Sequence, residues 1–255
     1  TICISSQVGC ALGCTFCATG QQGFKRNLTS GEIISQIVHF TKLESENFFD
    51  SILLKPNKSY KGIKNIVFMG MGEPLANYEN TIEAIKKINS NIGLNFGARN
   101  ITVSTVGLVP QILRLAREEI QINLAVSIHA PDNKTRSETV PINKRYPIED
   151  LINSCKEYIR ITNRKIFFEY VMLEGQNDSP EHAKKLGELL KEMLCHVNLI
   201  PVNPTNNSEY KRSRKNIIRA FQSVLIDYNV PSTVRMEKGI EVSAGCGQLA
   251  ESNSY

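Results

Sequence analysis

Apolar residues recur along this chain in two rhythms. Short runs rich in β-branched residues predict strands at Thr1–Ser5, Asn65–Met69, Asn100–Ser104, Gln121–Ile128, Lys165–Leu173 and His196–Ile200. Between them, apolar positions three and four apart predict helices over Glu79–Ile88, Val109–Glu118, Ile148–Ile161 and Arg214–Tyr228. Two further helices announce their starts chemically. Thr29-Ser30-Gly31-Glu32 reads as a capping box ahead of Ile33, Ile34 and Ile37. Ser179-Pro180-Glu181 offers a cap and a first-turn proline for a helix running to about Met193. The polar stretch Ser45–Gly62, with Pro56, Asn57 and Ser59, predicts an inserted loop.

Strand followed by helix, repeated along the chain, predicts a parallel α/β sheet with right-handed crossovers. In barrels of that kind the chemistry lies at the carboxyl ends of the strands. A chain of 255 residues can bury one full core, and neither an internal repeat nor a linker divides it, so residues 1–255 read as one domain. No apolar run approaches the ~20 residues of a membrane span. Thr1-Ile2-Cys3-Ile4 has no basic region leading into an apolar one, so it is not read as a signal peptide. It also lacks a methionine, which gives the expectation that residues precede Thr1 in a longer protein. The net charge of +5 suits an RNA partner but also many proteins that never meet one.

Cysteine placement changes the picture. Of seven cysteines, four fall within the first 17 residues, Cys155 and Cys195 stand alone, and Cys246 lies near the end. In a reducing cytosol, clustered thiols bind metal or do chemistry more often than they form staples. Cys10-Ala11-Leu12-Gly13-Cys14-Thr15-Phe16-Cys17 places three of them on one short loop after the first strand. Three thiolates can hold three irons of a cubane and leave the fourth open. An open iron can chelate the amino and carboxylate groups of S-adenosylmethionine (SAM) and pass an electron into its sulfonium, releasing a 5′-deoxyadenosyl radical. A structural zinc site is the bland alternative. It needs four closed ligands in paired knuckles, and no second CxxC or CxxH lies nearby, although Cys3 is a conceivable fourth.

The block from Cys3-Ile4-Ser5-Ser6-Gln7-Val8-Gly9-Cys10 through Cys17-Ala18-Thr19-Gly20-Gln21-Gln22-Gly23-Phe24 resembles the RlmN methyltransferase family, as does Cys246-Gly247-Gln248-Leu249-Ala250. Members are radical-SAM enzymes that methylate carbon 2 of an adenine in 23S rRNA, and some also modify a tRNA. The resemblance implies a partial (β/α)6 TIM-like barrel with a 4Fe–4S cluster on Cys10, Cys14 and Cys17. It assigns SAM to Gly72 and Glu73 in Gly70-Met71-Gly72-Glu73-Pro74, and to Ser104, Ser127, Ile128, His129 and Asn203 at later strand ends. Taken singly, these are common turn and capping residues.

Carbon 2 of adenine is electron-poor, so direct transfer of an electrophilic methyl group fails. The resemblance implies a carrier: Cys246 takes a methyl group from one SAM, and a second SAM is cleaved to activate it. Cys3 then assists proton loss and forms a disulfide with Cys246. Read without the family, Cys246 is a small buried hydrophobe, and core packing is the reading for Cys155 and Cys195. One departure is Ile240-Glu241-Val242-Ser243, where the family carries an acidic pair. The family's N-terminal accessory domain is expected to lie outside residues 1–255. Implied partners are 23S rRNA, tRNA and a reductant such as flavodoxin or ferredoxin, acting on a cytoplasmic monomer. Lys25-Arg26, Lys144-Arg145 and Lys211-Arg212 form a candidate RNA-facing rim.

Three other readings compete. A Cfr-like enzyme would methylate carbon 8 and confer antibiotic resistance, but such sequences tend to carry alanine where this chain has Pro74. A radical-SAM enzyme acting on peptides would often bring further clustered cysteines near its C-terminus. A zinc-stabilised, non-catalytic RNA-binding module leaves Cys3 and Cys246 unexplained.

Overall fold

The computed structural model describes residues 1–54, 62–203, 209–235 and 248. Its main sheet is parallel throughout. The strands are β1 (Ile2–Cys3), β4 (Ile66–Phe68), β5 (Ile101–Thr105), β6 (Asn123–Ser127), β7 (Ile166–Met172), β8 (Cys195–Pro201) and β9 (Ser232–Val234), in that spatial order. The sheet curls through 190° into a half-barrel. The first six strands fall on the six predicted apolar runs. Outside the sheet, β2 (Gln7–Gly9) and β3 (Phe24–Asn27) form a small antiparallel hairpin.

Helices α1 (Ala18–Gln21), α2 (Ser30–Leu54), α3 (Tyr78–Asn89), α4 (Val109–Leu115), α5 (Asn133–Thr139), α6 (Ile148–Thr162), α7 (Pro180–Leu190) and α8 (Lys215–Asp227) connect these strands. Where burial alternates, as in β5, one face of the strand meets the helices. Strand β7 is buried at six of its seven positions, as a central parallel strand covered on both sides must be. The helices answer with apolar pairs at helical spacing: Ile33 and Ile37, Ile82 and Ile85, Leu151 and Cys155, Phe221 and Leu225. Cys155 and Cys195 both lie in this core.

The capping box is formed: the Glu32 amide donates to Thr29 Oγ1 at 3.2 Å, and the Thr29 amide donates to Glu32 Oε2 at 2.9 Å. Ser179 caps α7 through the His182 amide. One expectation needs correction. Helix α2 runs on to Leu54, so the first half of the predicted Ser45–Gly62 loop is helical. Leu43, Glu44, Glu46 and Leu53–Leu54 are good helix formers, and no proline or glycine interrupts them before Pro56. Among the described residues, no helix is long and apolar enough to cross a membrane.

Candidate active site

A cavity enclosing, with its open mouth, about 1060 Å³ of space lies at the carboxyl ends of the strands. Cys10, Cys14 and Cys17 line one wall, Gly72 and Glu73 another, and Ser104, Ser127, His129 and Asn203 the ends of β5, β6 and β8. Nine of the sequence-predicted residues thus share one space. Ile128 does not reach it: its side chain is fully buried, and only its backbone serves the site, donating to Glu169 O and accepting from Arg136.

The cysteine loop is held from several sides. The Cys10 amide donates to Gly23 O in the hairpin, and the Thr15 amide donates to Thr139 O at the end of α5. Thr15 Oγ1 and Tyr210 Oη share a 2.7 Å hydrogen bond. Burial raises the metal-free Cys10 thiol to about 11. The Cys14 thiol is raised further, by burial first and then by Cys17 and Cys10, while Arg136 pulls the other way. Ligation must therefore displace protons from reluctant thiols. Among the described residues, no three histidine, cysteine, aspartate or glutamate side chains form a group that could hold a single ion. A cubane asks for something else, three sulfurs on three separate irons, and three cysteines of one short loop that line the same cavity fit that requirement.

Glycine is required in the turn after β4. A Cβ at Gly70 would stand 2.7 Å from Ile4 O; at Gly72, which has φ of +98°, it would stand 2.5 Å from Gln7 Cβ. The crowding arises because β1 and the hairpin clamp this turn. Ser5 Oγ accepts from the Met71 amide, and Gln7 Oε1 accepts from the Glu73 amide at 2.8 Å. The Glu73 carboxylate accepts from the Leu75 and Val106 amides at 3.0 and 2.8 Å. Burial nonetheless lifts its pKa to about 7, these amides opposing the rise.

His129 sits in the left-handed region, with φ of 56°. Asn177 holds it there by donating to His129 O at 2.8 Å, and the Val171 amide donates to Nδ1 at 3.1 Å. Burial, with the charge of Arg136, depresses the imidazole to about 3. The ring is therefore neutral, and because Nδ1 accepts, Nε2 carries the proton. The ring packs edge-to-face with Phe16 of the cysteine loop, with centroids 4.9 Å apart.

Sequence reasoning missed Gln7, Arg136, Glu169 and Arg235. Glu169 Oε1 accepts from Asn198 at 2.8 Å, while its buried Oε2 has no hydrogen bond and only a 3.6 Å ion pair with Arg235. Burial pushes this carboxyl up, opposed by Arg235 and Asn198. Arg235, just beyond β9, also touches Met69 Sδ at 3.7 Å, just beyond β4, and so reaches across the cavity that both residues line. Cys3 ends β1 beside them. The residue is exposed, yet surrounding protein raises its thiol pKa, against a backbone hydrogen bond from Met69 and the charge of Arg235. Cys246 lies outside the described residues.

Comparison with known proteins fits this geometry. The Radical SAM superfamily model matches residues 4–187. The chain is 48% identical to Dual-specificity RNA methyltransferase RlmN 1 of Myxococcus xanthus over 98% of its length and 66% of that protein's. It is likewise 48% identical to a probable dual-specificity RNA methyltransferase RlmN of Clostridium acetobutylicum, covering 98% of this chain and 68% of that one. It thus spans about two thirds of these relatives. A crystal structure of a radical SAM methyltransferase from Sphaerobacter thermophilus superposes with a TM-score of 0.90 at 48% identity, covering 96% of this chain and 69% of that one. SuiB of Streptococcus suis bound to S-adenosylmethionine shares the fold alone, with a TM-score of 0.64 at 14% identity over 96% of this chain and 55% of its own. On its sequence and its fold together, the chain belongs to the radical SAM superfamily and, within it, to the RlmN family of RNA methyltransferases.

Proposed function

We propose that this chain is the catalytic portion of an RNA methyltransferase that adds a methyl group to carbon 2 of an adenine in 23S rRNA and in tRNA. The observation that carries the reading is the single cavity shared by the three loop cysteines, the Gly72–Glu73 turn and the polar strand ends. Relatives called dual-specificity RNA methyltransferases support both RNA classes. Cys10, Cys14 and Cys17 would hold a 4Fe–4S cluster, which when bound supplies the electron that cleaves SAM.

The protein's own residues do the rest. Glu73, with the backbone around Gly72, receives the ammonium group of SAM, and a carboxyl titrating near 7 gains its charge as that cation arrives. Ser104, Ser127 and Asn203 offer hydrogen bonds to its ribose, carboxylate and adenine, and the Nε2–H of His129 adds a neutral donor. Cys246 carries the methyl group as a thioether and delivers it to the ring. Cys3 removes the ring proton and releases it to solvent. Its thiolate then attacks the Cys246 sulfur, so the carbon–sulfur bond breaks as the disulfide forms. The electron pair of that bond leaves with the ring-bound carbon, which takes up a proton to become the methyl group. A reductant of the flavodoxin or ferredoxin class fits a cytoplasmic setting.

Anaerobic reconstitution with iron and sulfide is the first test. About four irons per chain, with a paramagnetic spectrum perturbed by SAM and lost in Cys14→Ala, are expected. A colourless protein that ignores SAM would sink the reading. Nucleoside analysis of RNA treated with the full-length protein then separates carbon 2 from carbon 8. In a single turnover, Cys3→Ala should leave RNA covalently attached through Cys246.

A further inference from the structure

A guanidinium sealed inside a protein ordinarily faces a carboxylate, because an unpaired buried charge is costly. Arg136 is 0% exposed and the largest fully buried side chain among the described residues, yet its partners are all neutral. Nε donates to Ile128 O at 3.0 Å and Nη1 to Asn143 Oδ1 at 2.9 Å. Nη2 donates to Val106 O and Ser127 O at 2.6 and 3.2 Å. These contacts engage four of its five N–H donors without cancelling its charge. Burial lowers its pKa only to about 10, so the cation persists at neutral pH.

Among the described residues, the ionisable groups close enough to interact with that charge are His129, which is neutral, and two thiols, Cys14 and Cys155. Burial holds the Cys155 thiol up at about 12, deep in the apolar core, so it stays neutral. Cys14 is different, because it lies on the loop whose neighbour Thr15 is hydrogen-bonded to α5, the helix that carries Arg136. The same guanidinium binds the carbonyls of Val106 and Ser127, which line the cavity. It therefore sits behind the strand ends of the cavity that the cysteines also line, three residues along α5 from the Thr139 carbonyl that holds their loop.

We propose that Arg136 is the built-in counter-charge of the cluster site, a fixed buried cation behind Cys14 that raises the cluster's reduction potential. This rests on the assignment of a cluster to Cys10, Cys14 and Cys17. A cluster bound by three thiolates is anionic and becomes more so on accepting an electron. A cation in a low-dielectric wall eases that one-electron step, since net charge is one of the levers on such potentials. The electron itself comes from the external reductant.

The test is a redox titration of anaerobically reconstituted protein, followed by electron paramagnetic resonance, in wild type and three variants. Arg136→Met removes the charge, and Arg136→Lys keeps it while losing most of the clasp. Asn143→Asp keeps the guanidinium and sets a carboxylate on Nη1 to neutralise it, giving up the Asn143 Nδ2 bonds to Asn133 and Ser137. Arg136→Met and Asn143→Asp should each make reduction at least tenfold less favourable, a fall of about 59 mV for one electron. Arg136→Lys should stay within threefold of wild type. Unmoved potentials in both charge-cancelling variants overturn the proposal, and so does an equal fall in Arg136→Lys and Arg136→Met. Should Arg136→Met fail to fold, Asn143→Asp decides; if none of the three folds and takes up iron, Arg136 belongs to the scaffold and the proposal falls. A wild-type protein that binds no cluster instead sinks the functional reading on which it rests.

Discussion

Glu73 and His129 face the same cavity with opposite titration behaviour. Burial lifts Glu73 from 4.5 to about 7, so between those values the folded protein holds a proton that the unfolded chain has lost. That contribution to stability is complete below the unfolded pKa and is lost as pH rises through 7. Burial lowers His129 from 6.5 to about 3, so here the unfolded chain binds the extra proton and stability grows as pH rises towards 6.5. In the overlap, each slope approaches about 1.4 kcal/mol per pH unit and the two oppose. Urea midpoints of the metal-free protein should therefore change little between pH 4.5 and 6.5 on account of this pair. In Glu73→Gln the midpoint should rise with pH over that interval, and in His129→Asn it should fall. Glu73 was reached through the family resemblance, since a Gly-Glu-Pro turn after a strand is by itself commonplace. Glu169 had a signal that went unread, a lone acid inside the apolar strand Ile166–Met172. Arg136 had none, since the run Asn133–Thr139 is polar and reads as surface.

Between neighbouring elements, the tie that matters most to the site is Asn177. Its Nδ2 donates to His129 O and to Val171 O at 2.8 and 2.7 Å, and its Oδ1 accepts from the Leu173 amide at 2.8 Å. One buried amide thus joins the end of β6 to the end of β7 and holds His129 in its left-handed conformation. Asn177→Ala leaves a buried amide and two carbonyls without that partner. It should cost about 1–3 kcal/mol in urea unfolding and weaken SAM binding to the reconstituted protein severalfold by calorimetry. Elements that bury a periodic apolar face were readable: six strands, the capped α2 and the proline-started α7. Those that escaped are short or lack such a face. Strand β9 has three residues, two of them exposed, and the hairpin strand β3 is exposed throughout. Their positions are set by partners distant in sequence, such as β8 for β9, which a local pattern does not record.

For the whole molecule, the charge that left function undecided at first acquires a direction. Lys144 and Arg145 are exposed just beyond α5, and Lys211 and Arg212 precede α8. If these contact phosphates, affinity of the full-length protein for an RNA fragment should drop steeply from about 50 to 200 mM salt. Replacing Lys144 and Arg145 with glutamine should then reduce the slope of log affinity against log salt by about 1–2. Binding titrations at several salt concentrations measure this, and an unchanged slope removes both residues from the interface. The half-barrel adds a topological consequence. A closed ring of strands can be entered only through its ends. Among the described residues, a sheet that stops after 190° leaves a lengthwise gap between its edge strands, β1 and β9. Through such a gap a loop in the middle of a polymer can be offered sideways, with both ends of the polymer remaining outside. For this architecture an internal nucleotide is no harder to reach than a terminal one, and no free end has to be threaded.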